Sequence, residues 1–317
     1  MDFSIKFDTL PGGRPEIAAG FGVFDGVHPG HRLIISTVAA MAAENGALPA
    51  AVTFVPHPRA VIPGMEAPPL IISVDERRKR LREAGAAVTG IIPFSPGFGA
   101  MAPECFLDAL LRMSAFELTG ICVGEDWRFG CRGKGDAELL ERFCRRNGLG
   151  FKAVSRLKAG SVNISSSVIR ELAGKGDLAG AAAILGRELE LSGSVVKGFR
   201  VAGRELAAPT ANLELDHGLI VPDGVYAGLC CRSGKSYCAV LNIGMAPTYG
   251  VDRRRVEVHL TGFNGDLYGE RITVKLLSHL RPERKFPSPA ELKEQIIHDI
   301  AEATVIYNKF VQKGGTL

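Results

Sequence analysis

Two histidines stand three residues apart where a predicted strand gives way to a predicted helix. The segment is FDGVHPGH, which contains Phe24, Asp25, His28, Gly30 and His31. The amino end of a helix presents free N–H groups and a positive dipole end, so it favours phosphate. Gly30 lets a phosphate approach the backbone closely, and both imidazoles can donate hydrogen bonds to phosphoryl oxygens. The alternative is a glycine-rich turn with two satisfied histidines, but the place between strand and helix favours a phosphate site.

Three serines at 165–167 enter another predicted helix, and Arg170 follows in its first turn. A serine cluster before a helix is usually an N-cap, and on these residues alone the cap is the favoured interpretation. With an arginine one turn in, the same group could also hold a leaving pyrophosphate through charge-assisted hydrogen bonds.

The segment VGEDWRFG lies between these two motifs and follows the fourth predicted strand. Its aromatic rings, together with Asp126, suit a planar phosphorylated ligand. They suit a well-packed loop equally, so both interpretations stay open.

A further group of polar residues begins at Gly193. Gly193 and Gly198 predict a loop whose backbone can close over phosphates. Thr210 and Asn212 alternate on an extended segment, so their side chains point the same way. Their oxygens suit Mg²⁺, which would keep several waters and ATP oxygens as ligands, whereas the alternative is a polar turn.

Glu257 lies on a predicted strand in which Val256, Val258 and Leu260 form the core face. Glu257 and His259 therefore share the opposite face. A carboxylate there is usually an ordinary solvent-facing residue, but it could also be the general base for a hydroxyl that attacks a phosphate.

The elements that must position these residues follow two patterns. Predicted strands cover 16–24, 50–55, 88–94, 120–124 and 151–155, and predicted helices cover 30–45, 75–84, 103–114, 136–147, 166–174 and 177–186. This alternation predicts a doubly wound parallel sheet, in which ligands bind at the carboxyl ends of strands.

After this part, the segments from 189 to 277 are short, alternating and separated by Gly, Pro and Asp. That pattern predicts an antiparallel β unit, either a small barrel or a sandwich. The last 30 residues, from Ser288, predict one amphipathic helix. We therefore expect two domains, 1–187 and 188–317.

The composition fits such a protein. The 317 residues are 46% apolar and 23% charged, and no apolar run approaches the ~18 residues of a membrane span. A net charge of +4 lacks the strongly basic signature of a nucleic-acid binder, and the basic runs 77–80 and 253–255 are interpreted as solvated faces. Seven cysteines without a C-x-x-C pair favour structural thiols in a reducing compartment, so we expect a cytoplasmic protein.

The motifs resemble those of the bacterial bifunctional riboflavin kinase/FMN adenylyltransferase (FAD synthetase) family. The nucleotidyltransferase half of that family is matched by FDGVHPGH, TFVPHP, VGEDWRFG and ISSSVIR. Its riboflavin kinase half is matched by GSVVKGFRVAGR, PTANL, IVPDGVYAG, LNIGMAPTYG, VEVHLTGF, DLYGE and LRPERKF. The resemblance covers almost the whole chain. It implies a nucleotidyltransferase domain of the H-x-G-H type, followed by a small antiparallel β-barrel kinase domain with a C-terminal helix.

The resemblance implies two reactions: phosphorylation of riboflavin by ATP to FMN, and adenylylation of FMN by a second ATP to FAD with release of pyrophosphate. It implies Mg²⁺ with ATP, and riboflavin, FMN, FAD and ATP as partners. We expect no nucleic acid, no membrane, and a monomer or a weakly self-associating chain. One alternative is another H-x-G-H adenylyl- or cytidylyltransferase with an unrelated β domain, which leaves PTAN and Glu257 unexplained. A second is a nucleic-acid-binding regulator with vestigial sites, against which the weak charge and the intact site residues argue.

The resemblance also implies a role for each site residue. The catalytic residues would be His28, His31 and Glu257. ATP and its phosphates would be bound by Phe24, Asp25, Gly30, Ser166, Ser167, Arg170, Gly193 and Gly198. The flavin would be bound by Asp126, Trp127 and Arg281, and Mg²⁺ by Thr210 and Asn212. The chain departs from the family at Trp127, where Phe or Tyr is usual, and at Ala207 and Ala208, which replace a Gly-aromatic pair before PTAN.

Overall fold

The computed structural model describes residues 3–196, 210–246 and 253–315. Its residues pack into two compact units, Met1–Pro68 with Val74–Ser165 and Pro69–Ser73 with Ser166–Leu317. The two short helices that follow Ser165 group with the second unit by packing. The predicted domain boundary between residues 187 and 188 stays a prediction.

The first unit is a six-stranded sheet with helices. Its strands are β1 (Lys6–Phe7), β2 (Glu16–Phe21), β3 (Leu48–Val55), β4 (Val88–Pro93), β5 (Glu117–Gly124) and β6 (Gly150–Val154). Its helices are α1 (Pro29–Asn45), α2 (Val74–Glu83), α3 (Pro96–Gly99), α4 (Pro103–Leu111) and α5 (Ala137–Arg146). A small hairpin, β7 (Lys158–Ala159) with β8 (Val162–Asn163), belongs to the same unit.

The sheet has the strand order β1-β4-β3-β2-β5-β6. Strand β1 is antiparallel to β4, and the other neighbours are parallel, which confirms the predicted doubly wound sheet. From β2 the chain builds outward through β3 and β4 on one side and through β5 and β6 on the other. The order therefore switches between β2 and β5, where open α/β sheets bind ligands beyond the carboxyl ends of the strands.

Strand β2 lies at the centre of this core. Ile17, Ala18, Ala19 and Phe21 are all almost completely buried, as expected of a parallel strand covered on both faces. At Gly20 a Cβ atom would lie 3.0 Å from Val38 of α1, so the helix packs closely against the strand. This packing fixes the point at which the chain leaves the sheet to begin α1.

The interpretation of the basic run 77–80 as a solvated face is wrong for Arg77, whereas Lys79 is exposed. The Arg77 residue is 1% exposed. Arg80, three residues further along, has its Nε 2.8 Å from Oε1 of Glu76, across one helical turn. Arg77 is one turn from Leu81, which is fully buried, so the residue lies on the core-facing side of α2.

The second unit is built on a closed antiparallel barrel, which decides between the predicted barrel and sandwich. Its strands are β9 (Leu189–Val196), β10 (Ala211–Leu215), β11 (Gly224–Arg232), β12 (Lys235–Ala246), β13 (Arg253–Leu260) and β14 (Arg271–Arg281). They close in the order β10-β13-β12-β11-β14-β9. Its helices are α6 (Ser166–Gly174), α7 (Leu178–Leu185) and α8 (Pro289–Gln312).

The C-terminal helix α8 begins where the sequence predicts. The Ser288 hydroxyl accepts the Glu291 N–H at 3.3 Å and donates to the Glu291 carboxylate at 3.0 Å, which caps the first turn. Further along, Asp299 is 2% exposed and accepts two hydrogen bonds at 3.1 Å from Nε and one at 2.8 Å from Nη2 of Arg281. This ion pair fastens α8 to the end of β14.

Candidate active sites

The turn between β2 and α1 (residues 22–31, the histidine turn) has an unusual backbone. Phe24 and Val27 have φ angles of 51° and 45°, in the left-handed region. For a β-branched residue such as Val27 this conformation is strained and persists only where the surroundings enforce it. His28 caps α1, because its Nδ1 accepts the backbone N–H of His31 at 3.4 Å.

The histidine turn brings both predicted histidines together. The rings of His28 and His31 stack with centroids 3.6 Å apart and planes inclined by 20°. The ring of Phe24 meets His31 edge-on at 5.3 Å. A Cβ atom at Gly30 would lie 3.2 Å from Cε1 of His28, so the absence of a side chain at Gly30 makes room for the His28 ring.

The protonation of the two rings follows from their contacts. Because Nδ1 of His28 accepts a hydrogen bond, the proton of a neutral His28 ring is on Nε2, which is then a donor. Burial lowers the pKa of His31 well below its usual value, and His28 and Arg77 lower it further. His31 is therefore neutral near pH 7. Its Nδ1 is buried without a hydrogen-bond partner among the described residues.

A buried ion pair supports the histidine turn from α2. Asp25 is 1% exposed, and its Oδ1 lies 3.9 Å from Nη2 of Arg77. Nη1 of Arg77 donates to the Thr53 hydroxyl at 3.3 Å, and that hydroxyl donates to the Val23 carbonyl at 2.8 Å. Sequence reasoning missed Arg77 and Thr53. The spacing of Arg77 to the buried Leu81 was the signal that could have revealed the arginine.

The segment after β5 reaches the same edge of the sheet, because β5 is the parallel neighbour of β2. Trp127 stacks on Phe129 with ring centroids 4.8 Å apart and lies 6.0 Å from the ring of Phe21. Asp126 is exposed and accepts a hydrogen bond from Nε of Arg156 at 3.0 Å. The first unit thus brings the histidines, Trp127 and Asp126 to the switch point of its sheet.

The serine and arginine motif lies in the second unit. Helix α6 begins at Ser166, Ser167 is exposed, and Ser166 and Arg170 are half-buried. Nε of Arg170 donates to the carbonyl of Pro69 at 2.8 Å. Within its unit, Arg170 therefore fastens the segment Pro69–Ser73 to α6, which the sequence did not predict.

Three polar residues form a row across the barrel wall. Asn212 of β10 is the direct partner of Glu257 on β13, and Glu257 is the direct partner of Asn242 on β12. Such partners have Cβ atoms about 5 Å apart on the same face. We call Asn212, Glu257 and Asn242 the outer row. Thr210 is exposed and immediately precedes β10.

The outer row faces away from the barrel interior. Val256, Val258 and Leu260 are at most 5% exposed, whereas Glu257 and His259 are half-buried, which confirms the predicted alternation of β13. Sequence reasoning missed Asn242. Its alternation with the buried Leu241 and Ile243 was the available signal.

Comparison with known families identifies both halves of the chain. A FAD synthetase family model matches residues 13–168, and a riboflavin kinase family model matches residues 185–307. The chain belongs to the bifunctional riboflavin kinase/FMN adenylyltransferase family. The bifunctional riboflavin kinase/FMN adenylyltransferase of Buchnera aphidicola is 31% identical over 92% of this chain and 94% of that protein. That of Bacillus subtilis is 34% identical over 89% of this chain and 90% of that protein.

A solved structure has the same architecture. The crystal structure of a protein from Streptococcus pneumoniae, described as a macrolide-efflux protein, matches with a TM-score of 0.79 and 28% identity. The match covers 91% of this chain and 94% of that one. In the part of this chain that the structure describes, no helix is both long enough and apolar enough to cross a membrane.

Membership of the riboflavin kinase/FMN adenylyltransferase family gives the two reactions. The chain phosphorylates riboflavin with ATP to FMN, and it adenylylates FMN with ATP to FAD, releasing pyrophosphate. Riboflavin, FMN, FAD and ATP are its substrates and products.

Within residues 3–196, 210–246 and 253–315, no cluster of three or more His, Cys, Asp and Glu side chains could hold a metal ion.

One residue assigned from the riboflavin kinase resemblance, Gly193, has a different environment from the one expected. Gly193 lies inside β9, paired with Leu215 on one side and Ile272 on the other, so its predicted placement in a loop is wrong. A Cβ atom there would lie 2.2 Å from the Glu214 carbonyl oxygen, so close strand packing requires glycine. Its phosphate contact stays a prediction. Gly198, Ala207 and Ala208 lie outside the described residues.

Arg281, predicted to contact flavin, ends β14. Its guanidinium binds Asp299 and lies 5.5 Å from the ring centroid of Phe286. The arginine is thus a structural partner of α8, and its contact with flavin stays a prediction.

Proposed function

We propose that the two reactions use separate sites, with FMN adenylylation at the histidine turn and riboflavin phosphorylation at the outer row. One observation carries this proposal: the histidine turn lies in the first compact unit and the outer row lies in the second. We assign adenylylation to domain 1–187 and phosphorylation to domain 188–317.

In the adenylylation step, an FMN phosphate oxygen attacks the α-phosphorus of ATP. A P–O bond forms there, the bond from the α-phosphorus to the bridging oxygen breaks, and pyrophosphate leaves. His28 and His31 would donate hydrogen bonds to the phosphoryl oxygens as charge moves toward the leaving group. A neutral His31 ring stacked on His28 can donate a hydrogen bond without adding a second positive charge to the pair.

The remaining residues of the histidine turn would shape the phosphate site. Gly30 leaves room for the His28 ring at the amino end of α1, where the N–H groups favour phosphate. Phe24 would hold the His31 ring edge-on, and Asp25 would hold the turn through its contact with Arg77. These contacts support the predicted ATP site without requiring Phe24 or Asp25 to touch a phosphate.

Other residues carry predicted roles in adenylylation. For Ser166, Ser167 and Arg170, which belong to the second unit, the predicted role is to hold the leaving pyrophosphate by charge-assisted hydrogen bonds. Trp127 offers a ring plane beside Phe129 for stacking against an aromatic ligand, and Asp126 is exposed beside it.

In the phosphorylation step, the 5′-hydroxyl oxygen of riboflavin attacks the γ-phosphorus of ATP, and the bond to ADP breaks. The hydroxyl proton moves to the carboxylate of Glu257, which is the proposed general base. Asn212, directly opposite on β10, would hold the phosphate end of ATP beside that carboxylate. Arg281 would contact the flavin from the end of β14.

The donor set at the start of β10 fits Mg²⁺ bound with ATP. A hydroxyl and an amide oxygen from Thr210 and Asn212 are hard ligands, and they lie next to the half-buried carboxylate of Glu257. Mg²⁺ takes few protein ligands and keeps waters and phosphate oxygens, which agrees with two protein ligands here. When bound, the ion neutralises charge on the transferred phosphoryl group.

We further propose that the protein acts as a monomer or a weakly self-associating chain in the cytoplasm, without a nucleic-acid partner. The net charge of +4 and seven free cysteines support this. Titration with DNA and RNA at two salt concentrations tests the last point, since phosphate-backbone binding weakens steeply with salt.

The assignment of two sites is tested with His31→Gln and Glu257→Gln in the full chain. Each variant is supplied with riboflavin and ATP, and separately with FMN and ATP, and the flavins are separated. We expect His31→Gln to lose FAD formation and Glu257→Gln to lose FMN formation. Parallel loss of both activities in a folded variant would contradict the proposal.

A further inference from the structure

Arg77 is a buried charged side chain that contacts the histidine turn. The residue is 1% exposed, and its contacts include the Asp25 carboxylate at 3.9 Å and the Thr53 hydroxyl at 3.3 Å. Burial of a charge is costly unless the group is paired and hydrogen-bonded. Since an apolar residue of similar volume would fill the same space at lower cost, the guanidinium needs a reason beyond packing.

The contacts of Arg77 with Asp25 and Thr53 converge on the start of the histidine turn. One contact reaches Asp25 directly, and the other reaches the Val23 carbonyl through the hydroxyl of Thr53, which donates to it at 2.8 Å. Phe24 lies between these two points with a φ of 51°. The arginine therefore holds the backbone on both sides of a residue in a strained conformation.

A change in the backbone at Phe24 would be transmitted to both imidazole rings. Phe24 contacts the edge of the His31 ring, and His31 stacks on His28. A turn that relaxed at Phe24 would move both imidazoles relative to the amino end of α1. A misplacement of about 1 Å at a reacting centre can reduce a rate by roughly 10²-fold.

We propose that Arg77 is a positioning residue for FMN adenylylation, whose guanidinium holds Asp25 and Thr53 and thereby fixes the turn that presents His28 and His31. This inference rests on the proposed function of the histidine turn.

The charge of Arg77 gives the proposal a second measurable consequence. Burial, His28 and Arg77 together keep the pKa of His31 low, and Asp25 is the acidic partner of Arg77. Without the guanidinium, one positive charge near His31 is lost. That loss favours protonation of His31, so its pKa should rise.

The principal test compares Arg77→Met, Arg77→Lys and Arg78→Met in the full chain. Arg78 is the adjacent arginine of α2, with contacts to Thr89 at 3.3 Å and Asp8 at 4.0 Å, and serves as the matched control. For FAD formation we expect the kcat of Arg77→Met to fall by roughly 10²-fold. Arg77→Lys should recover part of that loss, and Arg78→Met should resemble the unaltered protein.

The second measurement follows His31 by NMR titration, with His31→Gln to assign its signal among the seven histidines. We expect the pKa of His31 to rise in Arg77→Met and to stay low in Arg77→Lys. Both variants change the packing at position 77, but only Arg77→Met removes the positive charge. A difference between their His31 pKa values therefore reports the charge. Riboflavin phosphorylation in the same samples serves as the control for intact protein.

The outcomes separate this inference from the proposal beneath it. If His31→Gln forms FAD normally, the proposed function of the histidine turn is wrong. If His31→Gln is impaired and Arg77→Met keeps its kcat, or Arg78→Met falls equally, the assignment of Arg77 is wrong. Should Arg77→Met fail to fold, Thr53→Val replaces it, because that change removes only the hydroxyl link to Val23. Normal FAD formation by Thr53→Val would then overturn the inference.

Discussion

Asn212 and Glu257 face each other across β10 and β13 on the outer surface of the barrel. The pairing places a proposed Mg²⁺ ligand and a proposed general base about 5 Å apart at their Cβ atoms. A shift of one residue in the register of β10 would turn Asn212 toward the interior that Leu213 fills. The register of two strands therefore determines whether the kinase site exists.

The first prediction concerns Gly30→Ala. Glycine within a helix costs about 1 kcal/mol relative to alanine, so the substitution should favour α1 in itself. The added Cβ would lie 3.2 Å from Cε1 of His28, however, and the ring would have to move. We expect unchanged or higher thermal stability together with slower FAD formation, measured by calorimetry and flavin separation.

Gly174→Ala is the matched control for that prediction. It is also a helical glycine, and the nearest atom to its added Cβ is the Ile220 carbonyl oxygen at 3.8 Å, which leaves room. This variant should gain stability and keep its rate of FAD formation. Equal rates in the two variants would show that the His28 ring does not need the space at Gly30.

The second prediction concerns Arg170→Ala. If the guanidinium holds the leaving pyrophosphate, its loss should raise the activation free energy of FAD formation by a few kcal/mol. That is about the value of a charge-assisted hydrogen bond in a site that excludes water. Steady-state kinetics with varied ATP would measure this. Unchanged kinetics would leave Arg170 with the role that the structure shows, a hydrogen bond to the Pro69 carbonyl.

The third prediction concerns the ion pair that fastens α8. The side chain of Asp299 is 3% exposed and binds Arg281, so Asp299→Asn leaves the half-buried Arg281 guanidinium without its carboxylate. Breaking a buried pair in this way costs about 3 kcal/mol, which urea unfolding would show. Glu270→Gln, which loses the more exposed partner of Arg232, should change stability much less. Equal losses of stability in the two variants would mean that the Arg281–Asp299 pair stabilises the fold no more than the Arg232–Glu270 pair does.

The sequence predicted the parts of this fold that depend on local pattern. The boundaries of α1 and α6 and the alternation of β13 agree with the structure, because hydrophobic period and capping residues lie within a few positions of each other. The clustering of His28 and His31 was predictable for the same reason. Strand β1 and the β7-β8 hairpin, with two residues per strand, are too short to show a period.

What the sequence could not predict depends on partners distant along the chain. The spacing of Arg77 to Leu81 places the arginine on the core-facing side of α2, but it does not identify the partners Asp25 and Thr53. Gly193 was expected in a loop that closes over phosphates, but close approach of β10 requires it in a strand. Tertiary packing decides the first case, and strand pairing in the assembled barrel decides the second.

The fourth prediction concerns pH and Asp8. Burial alone would raise the pKa of Asp8, but hydrogen bonds from the N–H and hydroxyl of Thr89 and from Arg82 hold it well below the usual value. A carboxylate with a lowered folded-state pKa stabilises the fold at neutral pH, and that stabilisation is lost as pH falls below about 4. Asp8→Asn should therefore be less stable at pH 7 and show a flatter acid limb in urea unfolding. If the stability of Asp8→Asn falls with decreasing pH as steeply as that of the unaltered protein, other groups cause the acid sensitivity.

The last prediction tests Glu257 as the general base. The residue lies off the core face of β13, and Thr210 and Asn212, the proposed metal ligands, offer no proton acceptor. The 5′-hydroxyl of riboflavin is a poor nucleophile until its proton can leave, and positioned bases contribute about 10²–10⁴-fold in rate. We expect Glu257→Gln to lower the kcat of FMN formation by about that factor, while riboflavin and ATP still bind. Glutamine keeps the shape of the side chain and loses its basicity, so stability should change little, and adenylylation of supplied FMN should proceed as before. If FMN forms at the original rate, the base is another group, and His259 on the same face becomes the next candidate.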